Sequence, residues 1–211
     1  VSASRIHLVR HGEVHNPSRV LYGRIPGFRL STLGERMAGA AALALQDEHA
    51  PVARLIASPL QRTQESAAPV AKAFGLEVET DERLIEPTNH FEGLVMKRAV
   101  RDPRNWFALR NPRLPSWGER YTSISSRMMA AVTDAWDTTP EGEVVLVSHQ
   151  LPIWMVHSTV TGTPFPHDPR KRRCALSSIT TLERRGDSFV EVAYRDPAAG
   201  LATAATDVGA V

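Results

Sequence analysis

Only one cysteine, Cys174, occurs in the 211 residues, so no intramolecular disulfide can form and the fold must rest on packing. A single thiol suits a reducing compartment without requiring one. No apolar run approaches the roughly 20 residues that a membrane span needs, and no charged-then-apolar leader opens the sequence. The expectation is a cytoplasmic protein with no membrane partner. An excess of one charge is also missing, because 25 Lys+Arg against 23 Asp+Glu leave only +2. Bulk charge therefore gives no reason to expect a nucleic-acid partner. Aromatics make up 6% of the chain, and Trp106, Trp117, Trp136 and Trp154 read as core or lid packing. On a prior of about 150 residues per domain, one domain over residues 1–196 is expected. The small-residue stretch 197–211 reads as a disordered tail.

What the sequence does contain is a series of apolar strands, each followed by polar chemistry. Ile6 to Val9 runs into Arg10-His11-Gly12, a buried strand ending in a loop. Residues 15–30 are rich in Pro, Gly and Arg, a loop long enough to be functional. Thr32 and Glu35 have capping-box spacing ahead of an Ala/Leu-rich helix to about Glu48. Leu55 to Ala57 is a second strand closed by Ser58-Pro59, and a helix from Gln61 to Phe74 stops at Gly75. Residues 81–118 are irregular, with one short helix near 94–101. Ser116 and Glu119 give another capping-box spacing and open a helix to Trp136. Glu143 to Val147 is a third strand, ending at Ser148-His149, with a helix from Pro152 to about Val160. Ser177–Leu182 and Ser188–Tyr194 flank Gly186-Asp187 as a hairpin.

Strands alternating with helices predict an α/β chain, a three-layer α/β/α sandwich with a mostly parallel sheet. Ligands bind such sheets beyond the carboxyl ends of the strands. That rule gathers Arg10-His11, Ser58 with Arg62, and Ser148-His149, which the sequence keeps far apart. Arginine offers planar bidentate donors to a phosphoryl group, so Arg10 and Arg62 are candidate clamps. Neutral imidazole is a competent phosphoryl acceptor, and two guanidiniums beside His11 would keep it neutral. His149 is placed to donate to the oxygens in the transition state. An alkoxide leaves slowly without a proton, and Glu86, in an irregular loop after a short strand, is the candidate acid. Each residue alone has a duller reading as a surface or cap residue. Their joint position at strand ends is what carries weight.

Leu8-Val9-Arg10-His11-Gly12-Glu13 with Asn16 resembles the signature of the histidine phosphatase superfamily, which includes the phosphoglycerate mutases. The likeness continues in Leu30-Ser31-Thr32-Leu33-Gly34, in Ser58-Pro59-Leu60-Gln61-Arg62-Thr63-Gln64-Glu65-Ser66-Ala67 and in Val147-Ser148-His149. The resemblance implies a three-layer α/β/α fold and a phosphohistidine on His11. It also implies a phosphate pocket of Arg10, Arg62, His149 and Asn16, and no metal or organic cofactor. Two departures stand out. Gln150 replaces the usual Gly after the second histidine, and its side chain is expected to reach over the pocket and restrict the substrate. The acid segment, Glu86-Pro87-Thr88-Asn89-His90-Phe91-Glu92-Gly93, is one residue short, so Glu13 and Glu92 stay open as alternatives to Glu86.

The leading expectation is a phosphatase acting on a small phosphorylated metabolite, with a phosphoglycerate mutase as first rival. A non-catalytic phosphate-binding or scaffolding protein is the second. Oligomeric state is not legible, and a homodimer stays open. His7, His11 and His15 recur every four residues, but strand geometry spreads them too far to share an ion. Lys97, Arg98, Arg101 and Arg104 read as a solvated helix face, with a face toward an anionic substrate as the alternative. Arg170–Arg173 read as an exposed loop, and Cys174 as a buried or half-buried thiol.

Overall fold

A computed structural model describes residues 2–108, 110, 111, 117–205 and 207. Six strands form one sheet: β1 (Arg5–Arg10), β2 (Val52–Ala57), β3 (Val78–Thr80), β4 (Glu143–Ser148), β5 (Ile179–Arg185) and β6 (Ser188–Arg195), in the order β3-β2-β4-β1-β5-β6. The first four strands in that order run parallel, and the β5–β6 hairpin adds antiparallel to β1. The helices are α1 (Thr32–Asp47), α2 (Gln61–Phe74), α3 (Met96–Ala99), α4 (Tyr121–Thr138) and α5 (Gln150–Thr161).

Alternation along the strands explains the layers. In β4, Val144 and Leu146 face α4 and α5, where they meet Ile6, Leu8, Ile124, Met128, Ile153 and Met155. Val145 and Val147 face the other way, into a cluster with Val9, Ala41, Leu45, Leu55, Ala67 and Val70 from α1, α2 and the neighbouring strands. A strand buried on both faces reads as a continuous apolar run, and β4 has that pattern. The expected three-layer α/β/α sandwich is therefore the observed fold, with a mostly parallel sheet.

Several boundaries differ from expectation for physical reasons. Ser31, not Thr32, caps α1, its hydroxyl accepting from Gly34 N at 2.9 Å. The carboxylate engaging that cap comes from outside the helix, because Ser31 Oγ donates to Glu13 at 2.5 Å. Helix α2 ends where expected, at Gly75 in the left-handed region with φ 67°. Arg120 precedes α4 with no side-chain cap, and Ser116 lies outside the described residues. Trp136 and Trp154 are buried, but Trp106 is exposed rather than packed. The expected disordered tail falls partly outside the described residues. Its described part is ordered, with a 3-10 helix over Ala199–Ala204 and Ala198 buried against Met37 and Leu176. No helix among the described residues is long and apolar enough to cross a membrane.

Candidate active site

The carboxyl ends of β1, β2 and β4 lie side by side, because β4 pairs with both other strands. Arg10 is the last residue of β1 and aligns with Ser148, the last of β4. His11 and His149 follow directly, with ring centroids 5.3 Å apart. Ser58 leaves β2, and four residues later the first turn of α2 presents Arg62. The chain must pass close at this point. A Cβ on Gly12 would sit 2.3 Å from the carbonyl oxygen of Gly34 at the start of α1, so only glycine lets the His11 loop dock there.

Glu86 arrives from a different direction. After β3, a 3-10 turn over Glu82–Leu84 is tied to the end of β4 by Ser148 Oγ, which donates to the Leu84 carbonyl at 2.7 Å. Arg24 Nε donates to the Glu86 carbonyl at 2.5 Å. These two bonds bring the Glu86 carboxyl to 3.4 Å from His149 Nδ1. Arg10, His11, Arg62, Glu86 and His149 are all essentially inaccessible to solvent.

Hydrogen bonding distinguishes the two ring nitrogens of His11. His11 Nδ1 lies 2.7 Å from the Gly12 carbonyl, an acceptor that must receive a proton, so the Nε2 lone pair is left over. His11 Nε2 is buried and has no hydrogen-bond partner, as are Arg10 Nε, Arg62 Nε and both carboxyl oxygens of Glu86. Buried polar atoms are nearly always paired, so five unpaired ones on neighbouring residues mark a place built for a polar ligand. Burial lowers the His11 pKa well below its ordinary value, and the Arg62 and Arg10 charges lower it further. The sequence reading credited the arginines alone; desolvation is the larger cause. His149 is held down in the same way, by burial first and then by Arg62. Burial raises the Glu86 carboxyl to about 7 against the opposing pull of Arg62, Arg172 and Arg10.

His149 is held by Ser58 Oγ, 2.8 Å from Nε2, and by Arg62 Nη2, 3.2 Å from Nδ1. Arginine only donates, so in this geometry Nδ1 accepts from Arg62 and Nε2–H donates to Ser58 Oγ. The other tautomer, with Ser58 donating to Nε2, places a proton on Nδ1 facing Glu86 and gives up the Arg62 bond. Arg62 also donates to the Gly23 carbonyl at 2.8 Å and lies 4.8 Å from the Tyr22 ring centroid. Tyr22 is buried, stacks on Phe28 and meets His11 edge-on. The loop over residues 15–29, closed at its base by the Val14–Leu30 bridge, thus wraps Arg62.

The remaining expected residues are engaged by partners outside this group. Asn16 donates to the Val20 carbonyl at 2.8 Å and accepts from Val20 N at 3.2 Å, bracing its own loop. Gln150 opens α5, and its Oε1 accepts from Arg172 Nη1 at 3.2 Å. Glu13 takes part in the α1 cap, and Glu92 accepts from Arg24 N and Asn89 N. Lys97, Arg98, Arg101 and Arg104 are exposed. Arg172 departs from the exposed-loop reading: it is half-buried and close enough to act on the Glu86 charge. Sequence reasoning gave no role to Tyr22 or Ser58. Ser58 had a signal in its position at a strand end, whereas Tyr22 lay in a loop with none.

One group among the described residues has metal-ligand character, namely His11, Glu86 and His149, whose donor atoms lie within 4.8 Å of one another. Two guanidiniums flank it, and their charge suits an anion better than a dication.

A sequence model of the histidine phosphatase superfamily, branch 1, matches residues 6–197. An uncharacterised protein of Mycobacterium tuberculosis is 52% identical over 199 residues, which cover 93% of this chain and 98% of the relative. A Yersinia enterocolitica protein named "Probable phosphoglycerate mutase GpmB" is 32% identical over 189 residues, 85% of this chain and 86% of that one. Among solved structures, a mycobacterial glucosyl-3-phosphoglycerate phosphatase matches with a TM-score of 0.71 at 24% identity, over 91% of this chain and 96% of its own. A phosphoserine phosphatase mutant from Entamoeba histolytica, in complex with phosphoserine, matches with a TM-score of 0.76 at 20% identity, over 92% and 97%. At those identities the two structures speak for the fold.

Proposed function

Because the chain belongs to branch 1 of the histidine phosphatase superfamily, we propose that it is a cofactor-independent phosphatase of a small phosphomonoester. The observation that carries this reading is the pairing of an unpartnered, neutral His11 Nε2 with a buried carboxyl at Glu86 whose pKa is about 7. A nucleophile and an acid are thereby matched at one pH.

In the first step the His11 Nε2 lone pair attacks phosphorus and the ester P–O bond breaks. The Glu86 carboxyl gives its proton to the departing oxygen, which leaves as an alcohol. Arg10 and Arg62 bind the phosphoryl oxygens, and the His149 N–H donates to them as charge shifts. In the second step the Glu86 carboxylate takes a proton from water, whose oxygen attacks phosphorus. The P–N bond breaks, its electrons return to Nε2, and inorganic phosphate departs. Asn16 and Gln150 contribute at the margin of the pocket, through loop 15–29 and through Arg172. Glu86 is preferred over Glu13 and Glu92 because their carboxylates already accept hydrogen bonds. The matched structures are named as phosphatases of glucosyl-3-phosphoglycerate and of phosphoserine, which favours a small phosphorylated metabolite as substrate here.

The Yersinia relative's name favours a second reading, a mutase that returns the phosphoryl group to another hydroxyl. Release of inorganic phosphate from a panel of phosphorylated metabolites, with and without 2,3-bisphosphoglycerate, separates the two. Multiple turnovers yielding phosphate without the bisphosphate are expected of the phosphatase. Isomerised 3-phosphoglycerate with no phosphate release would contradict it.

A further inference from the structure

Arg10 is the most enclosed cation in the site, and its contacts divide its guanidinium into two edges. On the outer edge, Nη1 and Nη2 each donate at 2.8 Å to one oxygen of the Asp207 carboxylate, a bidentate pair across 197 positions of sequence. Nη1 also donates to the Cys174 carbonyl at 2.7 Å. Both Nη1 hydrogens and one Nη2 hydrogen are thus taken. What remains is the inner edge, Nε–H with the second Nη2–H, and Nε is buried without a partner. That edge is itself a two-donor fork suited to a phosphoryl oxygen pair.

We propose that Asp207 is a positioning residue of the phosphate site: it grips the outer edge of Arg10 and thereby aims the inner edge at the phosphoryl group. The inference rests on the reading of Arg10 as a phosphate clamp. A buried guanidinium needs a counter-charge and a fixed rotation, and a carboxylate bound through both oxygens supplies both. The segment carrying Asp207 is itself seated. The 3-10 helix Ala199–Ala204 follows buried Ala198, and Leu201 packs into the same cluster with Met37 and Leu176. Residues expected to be a disordered tail therefore reach the catalytic centre. Asp207 holds Arg10 from the side away from the unpartnered Nε, so it does not occupy the edge a phosphate would use.

The test compares wild type, Asp207→Ala, Asp207→Glu and Asp207→Gly in three measurements: steady-state hydrolysis, competitive inhibition by inorganic phosphate, and thermal melting. Asp207→Ala should lower kcat/KM and raise the phosphate inhibition constant, each by about 10- to 100-fold, as expected for a misaligned clamp. Its melting midpoint should fall as well, because Arg10 is 1% exposed and loses its counter-charge, so rescue rather than melting separates positioning from folding. Asp207→Glu should recover part of the loss, and added formate should partly restore Asp207→Gly, which a merely structural role would not allow. An Asp207→Ala enzyme as fast as wild type, or faster, overturns the proposal, and a faster one marks Asp207 as a competitor of phosphate instead. Should wild type hydrolyse no phosphomonoester, the phosphatase reading fails by itself. Calorimetric binding of inorganic phosphate then decides the Asp207 inference, which is overturned if Asp207→Ala binds as tightly as wild type.

Discussion

The same sheet buries a histidine beside a glutamate at each end, and the two pairs have opposite characters. Near the amino ends of the strands, His7 Nε2 lies 2.7 Å from Glu143 and His7 Nδ1 lies 3.0 Å from Thr181 Oγ1. Each ring nitrogen has a partner, and Arg5 stands 3.8 Å from the other Glu143 oxygen. The hydrogen bond to His7 holds the Glu143 carboxylate below its ordinary pKa. At the carboxyl ends, His11 Nε2 and both Glu86 oxygens have no hydrogen-bond partner, and Glu86 is more deeply buried than Glu143, which pushes it up to about 7. Composition is alike; satisfaction differs. A satisfied buried pair stabilises the fold, while an unsatisfied one costs free energy that a ligand can recover.

Exchanging each histidine for alanine gives the sharpest contrast. His11→Ala should abolish turnover, by roughly 1,000-fold or more for loss of a nucleophile, with melting little changed. His7→Ala should leave catalysis near wild type but lower stability by about 2–3 kcal/mol, since Glu143 loses a buried partner. Denaturant melts and phosphate-release rates on both variants read this directly, and a catalytic defect in His7→Ala would erase the distinction.

Glu86→Gln comes next. It should slow alkyl phosphates by about 100-fold or more while slowing p-nitrophenyl phosphate far less, because a stabilised phenolate hardly needs the proton. For wild type acting on alkyl phosphates, kcat/KM should fall as pH rises through about 7, where Glu86 loses its proton. Stability should fall with rising pH as well. Burial holds the folded Glu86 pKa above the ordinary carboxyl value of 4.5, so wild type loses stability as pH climbs from 4.5 to about 7. The glutamine variant lacks that loss. Above pH 7 it should therefore be the more stable protein, by up to about 3 kcal/mol at roughly 1.4 kcal/mol per unit. Equal rate losses on both esters would make Glu86 a shaping residue.

Smaller effects follow. Arg62→Lys keeps the charge but loses the planar fork, and should cost about 100-fold. Near-normal rates would reduce Arg62 to a distant charge. Ser58→Ala removes the hydroxyl at His149 Nε2 and should cost about tenfold, the worth of one buried hydrogen bond.

Much of this was legible in the sequence, for reasons that differ by residue. The period of β4, the stop at Gly75 and the strand-end positions of Arg10, His11 and His149 are local signals, and the topology rule for parallel sheets brings them together. The cap of α1 was misread by one position because its carboxylate, Glu13, lies 18 residues from Ser31 and no local pattern reports it. Arg172 looked like one of four solvated basic residues until α5 supplied Gln150 as its partner. Tyr22 and Asp207 gave no signal at all. A tyrosine in a Pro/Gly-rich loop and an aspartate in an alanine-rich tail have ordinary readings, and only the folded chain places them against Arg62 and Arg10.

The most direct test of the central claim is a rapid quench of wild type with a phosphorus-labelled phosphomonoester, followed by peptide mapping. Acid-labile, base-stable label on the peptide containing His11, absent from His11→Ala, is the predicted result. Turnover at the wild-type rate with no label on His11, or with label retained in His11→Ala, would contradict it.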